Sequence, residues 1–138
     1  MPLRANAGPM MEWVIPGRLA RSARPADPEA VEAWLKEAEA LGVRSILCLL
    51  SDSQLSAYET LPGGLLAHYR RSGFAVGHVP VEDRQTPPIP PEDLKEIGRL
   101  FDELPGPLLV HCWAGIDRTG AAVDYLLQRR IPTAGTDT

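Results

Sequence analysis

Apolar residues along this chain follow two patterns that alternate. Three segments have the length of strands: 43–51 (VRSILCLLS), a continuous apolar run typical of a strand buried on both faces, 74–81 (FAVGHVPV), a strand candidate, and 106–112 (GPLLVHC), a further buried strand. Three other segments place apolar side chains on one face at helical spacing: 27–42, 91–104 and 117–130. We therefore predict strands and helices that follow one another along the chain.

The remaining segments contain turn and loop residues. The segment 12–25 (EWVIPGRLARSARP) is predicted to be a short strand or extended arm that turns at Pro16. Residues 52–73 have a weaker pattern and predict only a turn and a short helix from Leu65. The proline-rich segment 82–91 (EDRQTPPIPP) predicts a loop, because proline lacks the N–H that regular structure uses.

The alternation of strands and helices predicts an α/β fold, with a central, mostly parallel sheet and helices on both faces. In such sheets ligands bind beyond the carboxyl ends of the strands. The length of 138 residues predicts one domain over residues 1–138, with a loose start at 1–11 and a tail at 131–138.

Composition and charge narrow the classes of function. Hydrophobic residues make up 44% of the chain and charged residues 23%, which favours a packed core over disorder. The net charge of −4 argues against a general nucleic-acid binder. The chain contains neither an apolar run long enough to span a membrane nor a secretory leader in MPLRANAGPMMEW, so we expect a cytoplasmic protein without a membrane partner. Two cysteines are too few for a disulfide framework.

The segment 111–120 (HCWAGIDRTG) contains the candidate chemistry. Cys112 ends a predicted strand, a short loop follows, and a helix starts near Arg118. Gly115 permits the dihedral angles that a ring of inward N–H groups requires, and the helix N-terminus adds free N–H groups and the positive end of its dipole. The segment therefore predicts a socket for a tetrahedral oxyanion with a sulfur at its base.

Each side chain of this segment has an expected role. The amide ring, the helix dipole and Arg118 favour the thiolate form of Cys112, and Arg118 can donate two N–H groups to two phosphate oxygens. We expect the Thr119 hydroxyl to lie near the sulfur and help it leave, His111 to hydrogen-bond the loop backbone, and Gly120 to let the helix pack closely on the strands. The residues predicted to surround the phosphate are Trp113, Ala114, Gly115, Ile116, Asp117 and Arg118.

HCWAGIDRTG resembles the HCxxGxxR[ST]G signature of the cysteine-dependent protein tyrosine phosphatases. Three further segments, WVIPGRLARSARP, GVRSILCLLS and VPVEDRQTPPIPPEDL, are similar, in order, to segments of the small atypical dual-specificity phosphatases. The resemblance covers residues 12–130. It implies the fold of that family, and since related phosphatases continue with further helices, it implies that the C-terminal helices are shortened or absent here.

The resemblance also implies a mechanism. Family members supply an aspartate from a loop upstream of the signature as the general acid, and the matching position is Asp83, with Glu82 as the alternative. Cys112 would attack phosphorus, form a phosphocysteine and release it by hydrolysis, without a metal or cofactor. Related phosphatases carry a strand cysteine that traps the oxidised nucleophile, so Cys48 is either such a redox partner or a small core residue.

For several residues the sequence allows a second interpretation. Cys112 could be a buried structural cysteine at a strand end. Asp117 could orient the loop or assist water, or it could be the helix N-cap, which its position favours. Trp113 packs under the loop or lines the pocket. Arg18 and Arg21 either form a basic rim that attracts phosphorylated ligands or only keep the surface soluble.

The predicted function is a protein phosphatase acting on phosphotyrosine and on phosphoserine or phosphothreonine. The alternatives are a phosphatase of small-molecule or lipid phosphates, a non-catalytic phosphate-binding module, and a rhodanese-like sulfurtransferase, against which the Arg-Thr-Gly ending and Asp83 argue. The expected partner is a phosphorylated protein or a small phosphate ester. The sequence predicts neither the physiological substrate nor the oligomeric state.

Overall fold

Five strands form one sheet in a computed structural model that describes residues 11–130. The strands are β1 (Glu12–Ile15), β2 (Leu19–Ser22), β3 (Ser45–Cys48), β4 (Ala75–His78) and β5 (Leu108–His111). The helices are α1 (Val31–Ala40), α2 (Asp52–Leu55), α3 (Gly64–Arg71), α4 (Pro91–Glu103) and α5 (Asp117–Arg130), with 3-10 turns at Pro28–Ala30 and Ser56–Tyr58. This order confirms the predicted α/β class.

The sheet has the order β1-β2-β5-β3-β4 and is mostly parallel, as predicted. Among the strands of residues 11–130, only β1 and β2 pair antiparallel, and the turn between them closes with a hydrogen bond from Arg18 N to Ile15 O. The parallel strands end in register: Ser22 and Cys48 both lie opposite His111, and Cys48 also lies opposite His78. The carboxyl ends of four strands therefore form one edge, at which the segment 111–120 begins.

Each face of the sheet has its own apolar core. Ile46 and Cys48 of β3 face a cluster that includes Trp34 of α1 and Tyr69 of α3. The intervening Leu47 belongs to the opposite cluster, whose buried members from α4 and α5 are Ile97, Phe101, Ala122, Val123 and Leu126. Alternate strand residues thus pack against opposite helical layers, which confirms helices on both faces and explains the continuous apolar runs.

The predicted helix 27–42 begins as a 3-10 turn that leads into α1, since Asp27 Oδ1 accepts a hydrogen bond from Ala30 N at 2.9 Å and Pro28 opens this turn. The short helix predicted from Leu65 is α3, which starts one residue earlier. The segment 52–58, for which no helix was predicted, contains α2 and a 3-10 turn. A helix of one turn has too few residues to show apolar periodicity.

Several terminal expectations lie partly or wholly outside the described residues. Of the predicted loose segment 1–11, the structure describes only Met11, whose side chain is buried and whose N–H donates to Glu37 Oε2 at 3.1 Å. The predicted tail 131–138 and the expected shortening of the C-terminal helices fall beyond Arg130 and are outside the description. Within residues 11–130 no helix is both long and apolar enough to cross a bilayer.

Candidate active site

Cys112 lies directly after β5, at the carboxyl edge of the sheet. Its side chain is buried, and Sγ accepts a hydrogen bond from Gly115 N at 3.2 Å. This contact requires the chain to turn back on itself, which it does at Gly115 with φ +77°. The loop 113–116 therefore wraps around the sulfur with at least one backbone N–H directed at it, as the spacing of cysteine and glycine predicts.

Arg118 is buried in the first turn of α5, with 1% of its surface exposed. One nitrogen, Nη1, makes all of its hydrogen bonds: to Leu49 O at 3.2 Å, to Val81 O at 2.8 Å and to Gln54 Oε1 at 2.9 Å. These acceptors come from two strand ends and from α2. They fix the plane of the guanidinium group before any ligand is bound.

The other two nitrogens of Arg118, Nε and Nη2, are buried and have no hydrogen-bond partner in the structure. Nη2 lies 3.2 Å from Asp83 Oδ2, which is ion-pair distance, but the two groups lack the alignment of a hydrogen bond. Leaving charged N–H donors buried and unpaired costs free energy unless a ligand satisfies them. The free edge of Arg118 therefore has the donors that two oxygens of a bound oxyanion would use.

The structure brings Asp83 and not Glu82 to Arg118. Asp83 is partly buried; its Oδ1 accepts from Arg84 N at 3.0 Å and its Oδ2 accepts from Gln54 Nε2 at 3.3 Å. Glu82 is exposed and makes no hydrogen bond or ion pair among the described residues. The loop that carries both acids is held at its ends by the buried side chains of Val81 and Ile89.

Gln54 connects the two charged groups, and the sequence analysis did not select it. Its amide oxygen accepts from Arg118 and its amide nitrogen donates to Asp83. A capping box fixes its position, since Ser51 Oγ accepts from Gln54 N and Gln54 Oε1 accepts from Ser51 N. The pattern Ser-x-x-Gln immediately after a buried strand indicates a capping box, and Gln54 could have been identified from it.

His111 hydrogen-bonds the backbone of Cys112, as predicted. Its Nδ1 donates to Cys112 O at 3.2 Å, since a carbonyl can only accept. Burial lowers the pKa of His111 to about 4, so the ring is neutral at pH 7 and its Nε2 accepts from the Tyr69 hydroxyl at 2.9 Å. Trp34 packs against both rings, with centroid distances of 5.5 Å to Tyr69 and 5.2 Å to His111.

Cys48 lies on β3 opposite His111 and is fully buried as a free thiol. Burial raises the pKa of its thiol to about 12, so it is protonated at neutral pH. These properties are those of a small core residue. The redox role stays a hypothesis.

One expectation for the loop needs correction and another stays untested. Asp117 is not the N-cap: Gly120 N donates to Ile116 O, so Ile116 occupies the capping position and Asp117 is the first helical residue. Thr119 is fully buried and its Oγ1 has no hydrogen-bond partner, so its expected role beside the sulfur stays a prediction.

Two further expectations also change. A Cβ on Gly120 would meet only Arg21 Nη2, at 3.8 Å, so close packing on the strands does not require this glycine. Arg18 and Arg21 form no common rim, because Arg18 precedes β2 at the other end of the strand and stacks over Phe101 at 5.0 Å.

The outward side of the loop is exposed. Trp113 is half-buried and packs against the core cluster of α1 and α3, which favours the packing interpretation. Ala114, Ile116 and Asp117 are exposed. Among residues 11–130, Ile116 is the one large hydrophobic residue that is exposed, with 65% of its surface accessible. Within residues 11–130 no cluster of three or more His, Cys, Asp or Glu side chains is arranged to hold a metal ion.

Residues 8–131 match the family model described as the Swiss Army Knife protein, DSP-PTPase phosphatase domain (PTP-SAK). The chain belongs to this family. The match extends over the whole sheet and the loop around Cys112, so the described site lies within the PTP-SAK phosphatase domain. The earlier resemblance to small dual-specificity phosphatases is thereby confirmed. Among curated proteins, none matches the sequence significantly.

Solved structures share the fold of this PTP-SAK domain. A DUF442 protein from Shewanella putrefaciens is 22% identical with a TM-score of 0.67, over 90% of this chain and 75% of its own. Tk-PTP in its active form is 26% identical with a TM-score of 0.63, over 91% and 77%. Kinase associated phosphatase, with its catalytic cysteine replaced by serine, is 20% identical with a TM-score of 0.63, over 83% and 68%.

Proposed function

We propose that this PTP-SAK domain hydrolyses phosphate monoesters of proteins, phosphotyrosine first and also phosphoserine and phosphothreonine, through a phosphocysteine on Cys112. The observation that carries the proposal is a buried sulfur contacted by a loop N–H, followed in the first turn of α5 by a buried arginine whose Nε and Nη2 have no hydrogen-bond partner. A tetrahedral dianion supplies acceptors for these donors, and its phosphorus would then lie next to the sulfur.

The first step transfers the phosphoryl group to sulfur. The Cys112 thiolate attacks phosphorus in line with the ester oxygen, so the S–P bond forms as the P–O bond breaks. The Asp83 carboxyl gives its proton to the departing oxygen, which leaves as an alcohol or phenol. Arg118 and the loop amides stabilise the charge on the three equatorial oxygens.

The second step releases the phosphate. The ionised Asp83 takes a proton from a water molecule as the water oxygen attacks phosphorus. The P–S bond breaks, its electron pair returns to Cys112 as thiolate, and inorganic phosphate leaves. The hydrogen bond from Gly115 N to Sγ stabilises the returning negative charge.

Ile116 supports the preference for phosphotyrosine. It is exposed in the loop that contacts the sulfur, whereas other large apolar side chains of the described residues are buried or partly buried. An apolar side chain at the rim of the socket offers contact area to the ring of a phosphotyrosine, but little to a highly charged small phosphate.

The reaction class is tested with an aryl phosphate. We expect hydrolysis that iodoacetamide abolishes and a chelator leaves unchanged. Cys112→Ser should remove turnover and retain binding of tungstate, a tetrahedral oxyanion. Turnover by Cys112→Ser would refute the covalent scheme, and tungstate binding by the wild type without any hydrolysis would indicate a phosphate-binding module.

The acid is tested with a matched pair of variants. Asp83→Asn should slow hydrolysis most for substrates with poor leaving groups, whereas Glu82→Gln should behave as the wild type, because Glu82 makes no contact in the site. The opposite result would transfer the role to Glu82. Relative kcat/KM on phosphotyrosine and phosphoserine peptides, soluble inositol phosphates and sugar phosphates then tests the substrate class.

A further inference from the structure

Two arginines hold the outer side of the loop that surrounds Cys112. Arg21 Nη2 donates to Gly115 O at 2.9 Å, and Arg24 Nη1 donates to Trp113 O at 2.8 Å. The Arg24 guanidinium also stacks on the Trp113 ring at 3.7 Å. Arg21 lies near the end of β2, and Arg24 lies in the segment that follows it. Strand β2 pairs with β5, which precedes the loop.

The direction of these two carbonyls determines the direction of two N–H groups. In a trans peptide the C=O of one residue and the N–H of the next point to opposite sides of the chain. Holding Trp113 O and Gly115 O toward the arginines therefore turns the N–H groups of Ala114 and Ile116 away from them, toward the inner side of the loop. Gly115 N already donates to the Cys112 sulfur on that side.

The loop is seated directly against the strand that carries the arginines. A Cβ placed on Gly115 would lie 2.7 Å from Ala23 N and 2.8 Å from Ser22 O. Since backbone meets backbone here, the carbonyl of Gly115 has little freedom to choose another partner on this side. A peptide that flipped would present its carbonyl oxygen to the oxyanion and replace attraction by repulsion.

We propose that Arg21 and Arg24 are positioning residues that fix the carbonyls of the phosphate loop outward and thereby orient the N–H groups of Ala114 and Ile116 toward a bound oxyanion. The proposal rests on the proposed function, because it assigns these arginines to the same socket. They act from behind the loop through hydrogen bonds to its backbone, and Arg118 alone supplies the buried guanidinium that faces the ligand.

Methionine variants test this, because methionine keeps most of the length of arginine without a donor. We expect Arg21→Met to weaken tungstate binding, measured by calorimetry, by about tenfold, since it loses the hydrogen bond that holds Gly115 O. Arg24→Met should weaken binding by a smaller factor, because the backbone N–H of Arg24 still donates to Trp113 O at 3.4 Å. Inactivation by iodoacetamide at pH 6 should slow in the same variants. Arg18→Met is the matched control, because Arg18 packs on Phe101 away from the loop, and it should bind tungstate as the wild type does.

Conservative variants separate positioning from simple loss of stability. Arg21→Lys and Arg24→Lys keep one cationic donor and should recover most of the tungstate affinity. If the methionine variants fold, bind tungstate and react with iodoacetamide as the wild type does, the proposal is wrong.

One measurement needs no variant. On tungstate binding to the wild-type protein, the amide proton resonances of Ala114 and Ile116 should move downfield in NMR spectra, as expected for new hydrogen bonds to an oxyanion. Unchanged resonances would overturn the proposal even if the methionine variants could not be folded. If the wild type binds tungstate with these shifts but hydrolyses no ester, the positioning role stands and the proposed function fails.

Discussion

Replacing Gly115 by alanine tests the geometry of the loop most directly. Gly115 has φ +77°, a conformation that L side chains rarely adopt, and its new Cβ would lie 2.7 Å from Ala23 N and 2.8 Å from both Ser22 C and Ser22 O. All three contacts are with backbone at the end of β2, which is paired with β5 and cannot rotate away as a side chain could.

The expected loss of stability has two parts. The left-handed backbone costs an alanine about 1 kcal/mol relative to glycine. Overpacking against fixed atoms adds about 1–3 kcal/mol. The sum of about 2–4 kcal/mol is a large fraction of the stability of a domain of this size.

Gly42→Ala is the matched control, because Gly42 has φ +83° and nothing within 4 Å of a built Cβ. It carries the backbone cost without the collision. Urea unfolding of both variants should therefore show Gly115→Ala as the less stable by about 1–3 kcal/mol. If the loop moves to relieve the collision, the stability difference shrinks, but tungstate affinity must then fall by about tenfold or more. A Gly115→Ala protein with the stability of Gly42→Ala and the tungstate affinity of the wild type would refute the described loop.

Three further predictions concern single contacts. Gln54→Ala should lower kcat/KM on alkyl phosphates by about tenfold, since it removes the side chain that bonds to both Arg118 and Asp83. Asp52→Ala, at an exposed position of the same helix, is the control. Equal kcat/KM values for Gln54→Ala and the wild type would contradict this role of Gln54. Burial lowers the pKa of His111 from 6.5 to about 4, so between pH 4 and pH 6.5 only the unfolded chain binds a proton at this ring. The free energy of unfolding should therefore rise by up to about 3 kcal/mol as the pH increases from 4 to 6.5. His111→Gln should lose this part of the pH dependence in urea titrations, and an unchanged slope would count against a neutral His111. Native alkylation at neutral pH should modify Cys112 and spare Cys48, whose thiol pKa is about 12; a Cys48–Cys112 disulfide found by mass spectrometry after mild peroxide would favour the redox hypothesis.

The spacing of apolar residues was sufficient to predict the helices and strands that define the fold. Helix α5 was predicted with its observed bounds, and α4 to within one residue, because both have long amphipathic stripes. The predicted strands were longer than the observed ones: the run 43–51 contains β3 at Ser45–Cys48, although Leu49 N still donates to His111 O, and its last residue, Ser51, caps α2. Burial on both faces extends beyond the paired residues, so the apolar run overestimates the strand.

The supporting contacts of the site could not be predicted from local pattern. Arg21 reaches a carbonyl 94 residues away in the chain, and Gln54 reaches Arg118 across 64 residues. No spacing rule relates such positions, because the register of the parallel strands is what brings them together. The position of Asp117 favoured it as the cap over a loop-orienting role, whereas the capping position is one residue earlier, at an isoleucine that caps only through its backbone.

The segment between Val81 and Ile89 offers a place for engineering. Both anchor side chains are buried, whereas Thr86 and Pro87 are exposed and lie beyond Arg84, whose N–H holds Asp83. Foreign recognition peptides grafted at these outward positions would lie next to the reaction centre without touching the core. Under the proposed function, such chimaeras would bring chosen phosphoproteins to the loop around Cys112.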